Sequence, residues 1–137
     1  MTDTRFDPPA GGLVPHMGIT LVGEGYEDGD AWLEAEMRIE QHHLRSGAKA
    51  LHAASMIALA DSVCGFAAGN VLPEGAKGYT TIELKSNFLG TASEGVLVGR
   101  SKADHLGRTT QVWSSTVTHK ESGRKLALFR CTQMILY

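Results

Sequence analysis

The chain has 137 residues, 42% hydrophobic and 20% charged, a length and balance that suit one globular domain over 1–137 and exclude general disorder. Thirteen basic against fifteen acidic side chains give a net charge of −2 with no basic block, which leaves no electrostatic footprint for nucleic acid or a membrane surface. No apolar run approaches the roughly 18 residues of a membrane span, no leader pattern stands at the N-terminus, and Cys64 and Cys131 form neither a CxxC pair nor a metal-ligand set, so the expected setting is a reducing cytoplasm.

Residues 1–16 hold Pro8, Pro9 and Pro15 and read as an irregular arm or a short turn of helix. Ile19 to Val22 is a strand candidate, and Asp28-Gly29-Asp30 a turn. From Ala31 to Arg38 the chain alternates, with Ala31, Leu33, Ala35 and Met37 on one side, as a half-buried strand does. Ala53 to Gly69 is apolar nearly all round and reads as a buried helix ending at Gly69-Asn70, with Pro73-Glu74-Gly75 turning the chain out.

Four strands follow. Tyr79 to Leu89 is expected to place Thr80, Ile82, Leu84, Ser86 and Phe88 on one face; Val96 to Ala103 leads to a turn at His105-Leu106-Gly107. Arg108 to His119 turns at Glu121-Ser122-Gly123 into Lys125 to Leu136. The short connections predict hairpins and hence antiparallel pairing. Two strands, one buried helix and four strands make an α+β architecture, an antiparallel sheet wrapped around the helix. The sheet face away from the helix would need a second copy to cover it, so self-association is expected.

Asp61 stands in the apolar helix, where an unpaired carboxylate costs several kcal/mol. Ala54, Ala58, Asp61 and Gly65 form a strip of small residues around it. That strip, with Ser62 beside the acid, reads as close packing or as the floor of a ligand slot. Burial raises a carboxyl pKa, and acids tuned in this way concentrate at functional sites. His52 precedes the helix and can orient its start. The first helical N–H groups, at Ala53 and Ala54, lack intrahelical partners and suit a developing negative charge. The pair His42-His43 reads as solvated loop residues rather than metal ligands.

The run His52-Ala53-Ala54-Ser55-Met56-Ile57-Ala58-Leu59-Ala60-Asp61 resembles the helix motif of hotdog-fold thioesterases of the phenylacetate-degradation (PaaI) type: His-Gly-Gly, a mostly apolar run, then Asp or Glu nine residues after the histidine. Gly78 to Leu89 is similar to the family strand that follows, and His105-Leu106-Gly107-Arg108 to the next turn. The likeness spans roughly residues 30 to 135. Alanines replace the paired glycines. Ser46 stands where the family often carries the Asn or Gln that holds the attacking water, with Gln41, His42 and His43 nearby.

The resemblance implies a hotdog fold and hydrolysis of an acyl-CoA thioester without metal or redox cofactor, coenzyme A entering only as part of the substrate. It further implies that Thr81 supplies a hydroxyl near the acid. Ala53 and Asp61 lie about 12 Å apart along one helix, too far to act on one carbonyl. If both act, they belong to two chains, in a homodimer or a dimer of dimers. The Ala53 N–H would polarise the carbonyl, and the partner's Asp61 would activate water or attack directly. Arg100, Lys102 and Arg108 are candidates for the coenzyme A phosphates. A hotdog enoyl-CoA hydratase and a non-catalytic acyl-CoA-binding dimer are the alternatives.

Overall fold

Alternation and one apolar helix are enough to build the molecule. The computed structural model describes residues 11–26 and 30–137. The N-terminal arm up to Ala10, and Asp28 and Gly29 of the expected turn, lie outside the described residues. A short helix, α1 (Leu13–Met17), leads into β1 (Ile19–Gly25) and β2 (Trp32–Arg38); a 3-10 turn, Gln41–His43, and a loop precede α2 (Ala53–Asn70). Strands β3 (Gly78–Phe88), β4 (Val96–Leu106), β5 (Thr110–His119) and β6 (Lys125–Leu136) complete the chain. The six strands form one sheet in the order β1-β2-β4-β5-β6-β3, each neighbouring pair antiparallel. Among the described residues no helix is long and apolar enough to cross a membrane.

Helix α2 lies across the sheet with Met56, Leu59, Ala60, Val63, Cys64 and Ala67 buried against it, the i, i+3, i+4 spacing of one helical face. Gly99 is the seat of Leu59: a Cβ there would stand 2.8 Å from Leu59 Cγ. Two sheet serines fix the helix's rotation. Ser101 Oγ donates to the Val63 carbonyl at 3.0 Å and Ser115 Oγ to the Ala60 carbonyl at 3.2 Å. With that side held down, Ala54, Ala58, Asp61 and Gly65 turn away from the central strands. They are exposed or half-buried, so the helix is apolar all round but buried within this chain on one side only.

Three expectations are corrected. Strand β4 continues through His105 and Leu106, with an irregularity between Ala103 and His105, and the turn is made at Gly107, whose N–H bonds to the Thr110 carbonyl. In β3 a bulge between Thr81 and Glu83 shifts the alternation by one residue. Directly paired residues share a face, so Thr81 lies beside buried Gln133, and Leu84 and Phe88 beside buried Cys131 and Ala127, all on the helix side, while Thr80 pairs with exposed Met134 on the other. Finally, the outer face of β2, β4 and β5 is polar, with Glu34, Glu36, Arg100, Lys102, Thr116 and Lys120. The exposed apolar side chains gather instead at the β3–β6 end of the sheet, Ile82, Leu84, Phe88, Leu128 and Met134 among them.

Candidate functional site

Among the described residues, the Ala53 N–H at the start of α2 has no hydrogen-bond partner. His52 is the N-cap residue, in an extended conformation, and its Nδ1 accepts from the Ala54 N–H at 3.0 Å. The Ser55 N–H bonds to the His52 carbonyl. Of the first two helical amides, Ala54's is therefore satisfied and Ala53's is not. Because Nδ1 accepts from a backbone N–H, Nε2 is the ring nitrogen left to donate. The preceding loop is anchored through buried His43, whose carbonyl accepts from the His52 N–H at 2.9 Å and from Ser55 Oγ at 2.8 Å. His43 Nδ1 accepts from the Glu40 N–H. Burial, with His42 nearby, holds the His43 pKa below its ordinary value.

Two turns along α2, Asp61 is half-buried, and its Oδ1 accepts from Thr81 Oγ1 at 3.0 Å. Burial raises its pKa, and the Thr81 bond offsets part of that rise. Behind Thr81 stands Gln133, fully buried, whose Nε2 donates to Thr81 Oγ1 at 2.7 Å. Tyr79 lies along the C-terminal part of the small-residue strip. A Cβ on Gly69 would stand 2.9 Å from its ring, and one on Gly65 3.5 Å. Burial and the neighbouring Asp61 charge raise the Tyr79 phenol pKa. This chain's own tyrosine thus packs over Gly69 and lies within van der Waals range of Gly65.

The other expected residues are dispersed. Ser62 turns its hydroxyl back onto the Ala58 carbonyl at 2.6 Å. Ser46 sits exposed in the loop closed by the Arg45 N–H to Ala50 carbonyl bond, with no hydrogen bond to His52 or Asp61 among the described residues. Arg100 and Lys102 lie on the outer sheet face, in a groove of about 700 Å³ across the sheet from α2; Arg100 stacks over Trp32 at 4.0 Å and faces Glu34 at 3.7 Å. One chain therefore does not bring them to Asp61. Arg108 lines a cavity of about 350 Å³ with Glu74, Thr109 and Tyr137, at the sheet end where β3 starts. Among the described residues no group of three or more His, Cys, Asp or Glu is placed to hold a metal ion. Gln133 and Tyr79 went unnoticed in the sequence. The signal for Gln133 was present: it is the polar member of the inward series Phe129, Cys131, Gln133, Ile135.

Residues 48–126 match the family model described as the thioesterase superfamily. The chain is 33% identical over 108 residues to a 1,4-dihydroxy-2-naphthoyl-CoA hydrolase of Escherichia coli strain K12, covering 79% of this chain and 77% of that protein. It is 29% identical over 121 residues to a protein of the same name from Listeria monocytogenes, covering 88% and 93%. Among solved structures, a thioesterase from Haemophilus influenzae superposes with a TM-score of 0.80 at 27% identity, over 90% of this chain and 81% of that one. The Escherichia coli PaaI protein of the phenylacetic acid degradation operon superposes with a TM-score of 0.76 at 17% identity, over 90% and 83%, a likeness of fold.

Proposed function

The chain belongs to the thioesterase superfamily and is a hotdog-fold thioester hydrolase, and on that premise we propose that it cleaves acyl-CoA esters at a site shared by two copies. The observation that carries this reading is the pairing of one unsatisfied amide, Ala53, with one carboxylate, Asp61, about 12 Å along the same helix. Neither reaches the other's substrate within a chain. Two α2 helices antiparallel across a two-fold axis bring each Ala53 beside the other copy's Asp61.

In that site the carbonyl oxygen sits at the positive end of α2, held by the Ala53 N–H with the His52 Nε2–H beside it. Thr81 holds Asp61 Oδ1 and leaves Oδ2 free. The carboxylate either takes a proton from water as that water attacks, expelling the coenzyme A thiolate and giving the free acid, or attacks the carbonyl itself, expelling the thiolate and forming an acyl–aspartyl anhydride that water then cleaves to the free acid and the regenerated carboxylate. Arg108 is the cation this reading retains for the coenzyme A phosphates. The names of the relatives favour an aromatic acyl group, so 1,4-dihydroxy-2-naphthoyl-CoA belongs in the substrate panel beside short, medium and long acyl esters.

Complementation tests the sharing. An Ala53→Pro chain lacks the donor and an Asp61→Asn chain lacks the carboxylate. Refolded together at equal amounts, half the dimers are mixed, and each mixed dimer has one intact site, so about a quarter of parental thiol release returns. Sites contained within single chains would leave the mixture inactive.

A further inference from the structure

Gln133 makes a hydrogen bond that packing alone does not explain. It is fully buried at an inward position of β6, between Cys131 and Ile135, where the strand otherwise carries apolar side chains. Its Nε2 donates to Thr81 Oγ1 at 2.7 Å and reaches Cys131 Sγ at 3.4 Å, while its Oε1 is buried with no partner among the described residues. An orphaned buried carbonyl is a cost that Met or Leu at this position would avoid. The Thr81 hydroxyl has a single hydrogen. With Nε2 filling its acceptor side, that hydrogen is left to Asp61 Oδ1, 3.0 Å away. Turned the other way, the amide oxygen would take the same hydrogen and leave Asp61 without it. The bulge between Thr81 and Glu83 brings Thr81 onto the helix side of β3, so the line Gln133–Thr81–Asp61 crosses from β6 through β3 to α2.

We infer that Gln133 is a positioning residue for the hydrolysis: its amide locks the Thr81 hydroxyl as a donor to Asp61 Oδ1, which orients the carboxyl group and leaves Oδ2 to act. This rests on Asp61 as the base or nucleophile, and it adds that the acid's state is set from the core, two hydrogen bonds away.

The test reads Asp61 directly as well as through turnover. The 13C carboxyl resonance of Asp61, identified by its loss in Asp61→Asn, is titrated in the parent, Gln133→Met and Gln133→Glu, beside pH profiles of kcat and KM for one acyl-CoA. In Gln133→Met the hydroxyl is no longer locked. The Asp61 titration and the acid limb of kcat/KM move together to higher pH, kcat falls roughly tenfold, and KM stays within about twofold. In Gln133→Glu the new carboxylate competes for the Thr81 hydrogen, and the shift goes further the same way. In a Thr81→Val background, Gln133→Met adds no further shift. Should Gln133→Met not fold, Gln133→Asn, which keeps an amide but lacks the reach, gives the same reading. An unmoved Asp61 titration in folded variants, or an equal shift with Val at position 81, overturns the proposal. Undiminished turnover in Asp61→Asn would instead remove the catalytic reading of Asp61, with the titration still reporting the Gln133 coupling.

Discussion

Asp61 is a carboxylate held between two opposing effects. Burial beside α2 favours its neutral form, and a single hydroxyl, Thr81, favours the charged one. Burial prevails, so its pKa stands above the ordinary carboxylate value, and the acid limb of the activity profile is expected above that of a free aspartate, checked by kcat/KM between pH 4 and 8. Asp61→Asn removes base and nucleophile while keeping size, and turnover is expected to fall by about 10²–10⁴. The same variant melts at a higher temperature at neutral pH. The sign follows from linkage: a carboxyl whose folded pKa is raised penalises the fold above that pKa, so the gain disappears as pH falls through it and the aspartate becomes neutral. Thermal melts of parent and variant from pH 7 to 4 read both ends. His43 works in the other direction. Its folded pKa is lowered by burial and by the neighbouring His42 and His16, against the opposing pull of Glu40 and a backbone hydrogen bond to Met17, so the unfolded chain takes a proton first as pH drops below about 6.5. Stability present above that pH is lost below it. Denaturant midpoints compared at pH 7.5 and 5.5 should show a smaller loss in His43→Asn, whose side-chain oxygen replaces Nδ1 as acceptor for the Glu40 N–H. At this scale the sequence displayed the acid, since an aspartate among apolar helical neighbours stands out. It hid Tyr79, whose role depends on which β3 residues face the helix, and it showed Gln133 only as the polar member of the inward β6 series.

The N-terminal turn of α2 separates backbone from side-chain effects. His52 caps Ala54 and leaves the Ala53 amide unused within the chain, and His52 already has the extended backbone, φ −70° and ψ 131°, that a following proline requires. Proline is also tolerated at the first helical position. Ala53→Pro is therefore expected to fold with a melting temperature near the parent's and to lose turnover through the missing N–H. Ala53→Gly keeps the donor and withdraws a methyl group. Turnover on bulky acyl-CoA esters holds or rises, and stability falls by no more than about 1 kcal/mol. A fully active, folded proline variant would show that the carbonyl is held elsewhere. Helix α2 and the limits of β6 were readable from hydrophobic pattern and turn residues, because those signals are local. The β3 bulge was not, because an irregularity in pairing leaves no trace in an alternating strand until its partner's register is known. It decides the site, since without it Thr81 would face away from Asp61.

The molecule as a whole is unfinished along one side. Strand β3 is an edge strand of eleven residues, and its inward side chains Leu84 and Phe88 remain 41% and 43% exposed although they lie on the helix side of the sheet. An edge of that length with apolar side chains is normally paired or covered. The sequence suggested that a second copy covers the outer sheet face; over β2, β4 and β5 that face is polar and knit by contacts such as Lys120 to Glu36 at 2.8 Å, and its exposed apolar side chains, Leu128 and Met134, stand on β6. Composition shows how many apolar residues a chain has and not which sheet end they reach, so the exposed apolar cluster on β3 and β6 was not legible in the sequence. Thr81 and Leu84 share one strand, so the apolar edge and the candidate site are continuous, and a second copy meeting β3 would also close over Asp61. Lysine at both Leu84 and Phe88 puts charge on that edge while leaving Asp61, Thr81 and Ala53 in place. The double variant is expected to sediment as a folded monomer and to lose thiol release, and the parent is expected to sediment as an active dimer at the same protein concentration. Reversal of charge at Lys120, on the outer face, is expected to leave the sedimentation and the turnover of the parent unchanged, since a solvent-exposed ion pair contributes little. A monomeric double variant that still turns over acyl-CoA at the parental rate would mean that each chain holds a complete site, and that the 12 Å between Ala53 and Asp61 is bridged by some other donor near the acid.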